Sequence, residues 1–263
     1  CLMHYKATIW HEASQNQIVN ETIRCNRQGM VMRVLAIGAH PDDLEIFCYG
    51  LLASLKSAGH ELILAVATDG AAGVIAGKEE GDALAQTRAD ETITALSALG
   101  RPELLGLADG KLAIQHGAAE AVDTLIRQTQ PELIITHDMS DYHPDHRALS
   151  AFVTASAGFG CPVLFSEPLM GVGFLPDYFV DITDHHDAKQ TAILAHHSQR
   201  PERFAAAAKL MNRYRAAQCN APEGCYAESY RTDSRFPFAD IRAMLPPPPA
   251  YRRFYDAGSD GFI

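Results

Sequence analysis

The apolar positions of this chain fall into short continuous runs separated by stretches of helical period. The first run, Val34-Leu35-Ala36-Ile37, ends abruptly in Gly38-Ala39-His40-Pro41-Asp42-Asp43. Leu44, Phe47, Cys48, Leu51, Leu52 and Leu55 then recur at helical spacing. The pattern predicts a buried strand, a tight turn and one helix, with Pro41 suited to the first helical turn. Asp42 and Asp43 then lie near the helix N-terminus, where negative charge is favoured. Glu132-Leu133-Ile134-Ile135-Thr136 repeats the layout, running into His137-Asp138-Met139-Ser140-Asp141-Tyr142-His143-Pro144-Asp145-His146 before a helix that starts at Ala148, Leu149, Phe152 and Val153.

Between and beyond these corners, strands and helices alternate. Glu61–Thr68 is nearly all apolar, as expected of a strand covered on both faces. Leu84–Leu99 reads as a helix closed by Gly100, and Leu104–Leu107 as a short strand leading to Asp109-Gly110. A helix over 118–128, strands over 163–165 and 178–182, and helices near 187–196 and 201–217 complete the series. Such alternation predicts an α/β, Rossmann-like three-layer fold with a mostly parallel sheet and the active site at the carboxyl ends of the strands.

If the two corner strands are parallel neighbours, His40, Asp43 and His146 bring two imidazoles and one carboxylate to a single point. Three protein ligands with an open fourth position describe a catalytic zinc centre. Two nitrogens and a carboxylate also suit iron(II) or another divalent ion. Taken singly, each corner has a plainer reading, with Asp42 a helix cap and His40 a turn residue.

Composition narrows the field. Of 263 residues, 47% are apolar and 21% charged, which is ordinary for a soluble globular chain. The formal net charge of −10 argues against nucleic acid and anionic membrane surfaces as partners. No run of 18 or more apolar residues is present, so no membrane anchor is expected. The six cysteines form no C-x-x-C pair and fit free thiols in a reducing cytoplasm. Gly70–Gly81 is glycine-rich but lacks a dinucleotide or Walker pattern.

His40-Pro41-Asp42-Asp43-x-Glu45 together with His143-Pro144-Asp145-His146 resembles the paired motifs of the PIG-L/LmbE family of zinc-dependent N-deacetylases. Further matches are Thr68-Asp69-Gly70, Arg88-x-x-Glu91, Asp109-Gly110, Ala195-His196-His197-Ser198-Gln199 and Ala227-Glu228-Ser229-Tyr230-Arg231, so the likeness spans Val31 to Arg231. The resemblance implies Asp42 as general base and His143 as protonated acid or oxyanion stabiliser, with Arg88 and Asp109 on sugar hydroxyls. Asp145 could hydrogen-bond His143 and keep it charged, or simply cap a helix. Arg88 has a plainer role open to it as an ion pair with Glu91, and Asp109 as a turn residue. Ser198 and Gln199 are read as capping residues, His196 as a helix residue near the site.

The expected substrate is a small N-acetylglucosamine-type sugar or glycoconjugate. Two rivals stand beside that reading: an amidase of a larger thiol- or sugar-conjugate amide, and a non-catalytic sugar-binding descendant. The resemblance and the texture of the chain divide it into three expected segments: an extension over 1–29, a deacetylase domain over 30–245 and a proline-rich tail over 246–263. The extension is open to reading as an added strand, an oligomer arm or a foreign remnant, and a homo-oligomer stays open. The tail, with its four prolines and Tyr251, Phe254 and Tyr255, is expected to strap across the surface, with a substrate-side or oligomer contact as the alternative.

Overall fold

A computed structural model describes residues 31–75 and 80–253. The expectations for the extension over 1–29 and for the last ten residues of the tail fall outside them. Internal contacts divide the chain at Met32, and everything below concerns the unit that starts at Arg33.

Seven strands form one sheet in the order β3-β2-β1-β4-β5-β7-β6. They are β1 (Arg33–Gly38), β2 (Glu61–Thr68), β3 (Glu103–Leu107), β4 (Leu133–His137), β5 (Val163–Ser166), β6 (Tyr178–Asp181) and β7 (Ala227–Thr232). β1 through β5 are parallel, and β7 runs antiparallel to both β5 and β6. The chain builds outward from β1 to β3, then returns to lay β4 on the other flank of β1. That reversal opens a crevice at the carboxyl ends of β1 and β4, where open α/β sheets bind ligands.

The helices are α1 (Asp43–Phe47), α2 (Tyr49–Ser57), α3 (Gly81–Ala95), α4 (Ala118–Thr129), α5 (Pro144–Ala157), α6 (His186–Leu194) and α7 (Glu202–Gln218). Along β1, Leu35 and Ile37 join a core with Val122, Leu125, Leu149 and Val153 of α4 and α5. Val34 and Ala36 point to the opposite face, and all four residues are fully buried. The sheet is therefore covered on both sides, which explains why its strands read as unbroken apolar runs.

Three expectations change. The single helix after His40 is two, broken at Cys48 (φ −145°, ψ 10°), because the Glu228 carboxylate accepts the Gly50 and Leu51 N–H groups at 2.9 and 2.7 Å and starts a new helix there. Pro41 lies in the turn ahead of α1, not in its first turn. β7, which the apolar pattern does not reveal, buries Glu228 and Ser229 in place of aliphatic side chains. The proline run behaves as a strap: the Pro247 carbonyl accepts the Asp181 N–H of the edge strand β6 at 3.0 Å. Cys48, Cys161, Cys219 and Cys225 are free thiols.

Candidate metal and hydrolytic site

β1 and β4 end side by side, so the corner after β1 and the loop between β4 and α5 face each other across the crevice. His40 Nδ1 lies 3.2 Å from His146 Nε2 and 3.4 Å from Asp43 Oδ2, and His146 Nε2 lies 3.5 Å from Asp43 Oδ2. Bonds of about 2.0–2.1 Å to a tetrahedral ion put its donors about 3.3–3.4 Å apart. The three atoms therefore form one face of a tetrahedron of the size a divalent ion requires. All three residues are buried, so their donors are desolvated and aimed in advance.

The remaining atoms of these side chains are committed in the way metal ligands usually are. His146 Nδ1 is 2.9 Å from Asp141 Oδ2, which fixes the proton on Nδ1 and leaves Nε2 free. His40 Nε2 faces Asp109 Oδ1 at 3.2 Å and Asp145 Oδ2 at 3.4 Å, leaving Nδ1 free. Burial opposes protonation of His40, but Asp109, Asp145 and Asp43 outweigh it and hold its pKa well above the usual range. His146 is likewise raised to about 9 against its burial, through Asp43 and Asp141. Burial opposes ionisation of Asp43, yet His146 and His137 hold its carboxyl well below the usual carboxylate range.

Overlapping donor groups exist, since Asp43, His137 and His146 also approach one another, as do His40, His143 and His146. His137 closes β4, and its Nε2 lies 2.9 Å from the Ala39 nitrogen and 3.0 Å from Asp43 Oδ2, so that nitrogen is already engaged within the chain. Burial first, then the charge of His146, pushes His137 down to about 4, so it stays neutral. Its ring stacks on His146 with centroids 3.7 Å apart at 11°. His137 thus braces His146 from one side; the residue alternation alone did not single it out, although a histidine closing an apolar strand beside a switch point is a usable signal.

Asp42 stands beside this triangle. Its backbone takes the left-handed conformation (φ 108°, ψ −18°), rare for a residue with a side chain, and its side chain makes no helix-capping bond. The turn rotates its carboxylate away from Asp43 and towards Arg88, whose Nη2 is 3.3 Å from Asp42 Oδ2. Burial pushes the Asp42 carboxyl up to about 6, with Arg88 opposing and Asp43 adding to the rise.

The sugar-contacting residues implied by the sequence are placed differently. Arg88 is buried, donating to the Gly70 and Pro41 carbonyls and to Asp42, while Glu91 is engaged by Ser198 rather than by Arg88. Asp109 faces His40 and accepts the Ala72 N–H at 3.1 Å. The expected bond from the Asp145 carboxylate to His143 is not made. That carboxylate accepts the Gly110 and Leu112 N–H groups at 2.7 and 3.1 Å and turns to His40; only the Asp145 backbone N–H reaches His143 Nδ1, at 3.2 Å. His143 is consequently not held charged: burial, His40 and His146 all lower its pKa, against Asp43 and Asp145. Its Nδ1 is an acceptor, so the proton of the neutral ring resides on Nε2. His196 lies beyond the end of α6, paired with Glu45, and Ser198 and Gln199 bond to Glu91 and the Gly73 carbonyl instead of capping a helix. No helix among the described residues is long and apolar enough to cross a membrane.

A family model described as GlcNAc-PI de-N-acetylase (PIG-L) matches residues 35–157, which include both corners. The diacetylchitobiose deacetylase of Thermococcus kodakarensis is 30% identical over 191 residues, covering 65% of this chain and 72% of that protein. Among solved structures, the N,N'-diacetylchitobiose deacetylase of Pyrococcus horikoshii superposes with a TM-score of 0.69 at 24% identity, covering 84% of this chain and 92% of that one. A 4-carboxy-2-hydroxymuconate hydratase from Pseudomonas putida reaches 0.68 at 21% identity, with coverages of 77% and 96%. The fold alone therefore does not choose a reaction.

Proposed function

The chain belongs to the PIG-L family of deacetylases, and from that premise we propose that it is a zinc-dependent hydrolase that removes the acetyl group from an N-acetylglucosamine-type sugar or glycoconjugate. His40, Asp43 and His146 hold the ion, and iron(II) would fit the same donors. The bound ion lowers the pKa of water and polarises the acetyl carbonyl.

The residues of the chain do the rest. Asp42, on the flank of the ligand triangle, takes the proton of the attacking water as it adds to the carbonyl carbon. A carboxyl raised to about 6 is basic enough for this and still ionised at neutral pH. His143 presents its Nε2–H to the oxygen on which charge develops, while the Asp145 N–H fixes the ring through Nδ1, and Asp42 passes the proton it took from water to the departing nitrogen. The carbon–nitrogen bond breaks, and acetate and the free amine leave. Asp109 and Asp145 act on this chemistry through His40, and Arg88 acts through Asp42. Asp109 is only partly buried, so it retains access to a bound sugar.

The reading is supported most by the three donor atoms spaced 3.2, 3.4 and 3.5 Å apart, with a second carboxylate, Asp42, in the same turn. The relatives that share this chain's sequence are named as deacetylases of chitobiose and of N-acetylglucosaminyl inositol. The test is acetate release from N,N'-diacetylchitobiose and from N-acetylglucosamine, measured on chelator-treated protein and after zinc or iron(II) is restored. Metal-restored acetate release is the expected result; inactivity of the zinc- and iron-loaded protein on every N-acetyl sugar offered would overturn it.

A further inference from the structure

The molecule buries another pair of ionisable groups that the chemistry above does not use. Glu45 lies on α1, one turn after Asp42, and His196 follows α6, 151 residues away. His196 Nε2 and Glu45 Oε1 are 2.9 Å apart, and each side chain is 1% exposed. The second polar atom of each, Glu45 Oε2 and His196 Nδ1, is buried with no hydrogen-bond partner among the described residues. Desolvating two such groups and leaving half their bonding capacity unmet is a poor way to anchor a helix, since an apolar pair of similar volume does so at lower cost. What the polar pair adds is direction. A hydrogen bond fixes how α1 is rotated, and apolar contact does not.

The stretch that begins at His196 is bonded to every piece that meets at Asp42. Ser198 donates its N–H and its Oγ–H to Glu91 at 2.8 and 2.7 Å, and Glu91 lies one turn along α3 from Arg88. Gln199 Nε2 donates to the Gly73 carbonyl at 3.0 Å, closing the turn whose Gly70 carbonyl receives Arg88 Nη1. His196 itself grips α1 through Glu45. One short segment thus ties together the helix that follows Asp42, the helix that carries Arg88, and the turn that Arg88 bonds.

We infer that His196 is a positioning residue for Asp42: through Glu45 it fixes the rotation of α1 and so keeps the left-handed Asp42 backbone aligned with Arg88 and the attacking water. The inference rests on Asp42 as the general base, and the test separates the two. Acetate release is measured for the parent, His196→Ala, His196→Gln, Asp42→Ala and the His196→Ala/Asp42→Ala double variant, with zinc content determined for each. His196→Ala is expected to lower kcat about 100-fold with KM little changed, the scale of a small misplacement. One zinc per chain should remain. His196→Gln, whose amide reaches Glu45, should recover most of the loss. In the Asp42→Ala background, removing His196 should cost less than about twofold, because both act through one group. An equal loss in both backgrounds, an unchanged kcat in His196→Ala, or loss of zinc from that variant each overturns the inference. If Asp42→Ala alone is fully active, the base assignment fails instead. Should His196→Ala not fold, Glu45→Gln takes its place in the same cycle.

Discussion

Arg88 and Asp42 are joined through both backbone and side chain. Arg88 Nη2 donates to the Pro41 carbonyl at 2.5 Å and to Asp42 Oδ2 at 3.3 Å, and Nη1 donates to the Gly70 carbonyl at 3.0 Å. One planar group therefore holds the residue before Asp42, Asp42 itself and the facing turn. A lysine offers a single point charge and no fork, so it cannot satisfy that set. Arg88→Lys is accordingly expected to lower kcat by about 10- to 100-fold while KM changes less than about threefold. A sugar-contacting Arg88 would give the reverse split, and steady-state kinetics on an N-acetyl sugar decides between them.

The same contact makes a claim about pH. Asp42 must be ionised to act as a base, so kcat/KM should rise with pH through its pKa. That pKa is about 6 without an ion, and Arg88 is the first of the groups that lower it. A bound cation acts in the same direction, so the acidic limb of the parent should lie at or below about 6. Arg88→Met removes the lowering charge and should move the limb upward. A limb that stays put in the variant would show that the titrating group is not Asp42.

Replacing the base should spare the metal. Asp42→Ala is expected to keep one zinc per chain and lose about 10²–10⁴ in kcat. His146→Ala should lose the ion. Asp141→Asn, which weakens the hold on His146 Nδ1 at 2.9 Å, should bind zinc about 10- to 100-fold more weakly. Metal analysis and competition with a chelator read all three, and full zinc occupancy in His146→Ala would remove it from the ligand set.

Much of this was legible in the sequence because the informative features are local. A run of apolar residues ending in His40 or His137 and followed by a helical pattern states both the strand and its carboxyl end. The adjacency of β1 and β4 completes the inference, and the register Val34–Leu133 to Ala36–Ile135 supplies it. What was hidden depends on partners far along the chain. Arg88 reads as a sugar contact, or more plainly as a surface ion pair with Glu91, until Gly70 and Pro41 fold over it. Asp145 sits between two histidines in sequence but is drawn to Gly110 and Leu112 in space. β7 does not show in the apolar pattern because Glu228, Ser229 and Tyr230 are buried there, at 2%, 2% and 0% exposure, and the partners of Glu228 and Ser229 come from α2, α6 and the residue after β5.

That polar core makes its own claim. Glu228 Oε1 accepts from Gly50 N–H at 2.9 Å and from Lys189 Nζ at 2.7 Å, and Oε2 accepts from Leu51 N–H at 2.7 Å and Tyr230 O–H at 2.6 Å. Lys189 is 1% exposed, so neither charge can reach water. Removing one member leaves the other buried and unpaired, a loss of about 3–5 kcal/mol, whereas replacing both with apolar groups of similar size is far less costly. Lys189→Met should therefore destabilise strongly in urea denaturation. Adding Glu228→Leu should not double the loss, although the freed Gly50 and Leu51 N–H groups keep the double variant below the parent. Strictly additive losses would mean that the two residues stabilise the chain independently and that Glu228 bonds the start of α2 without needing the lysine charge.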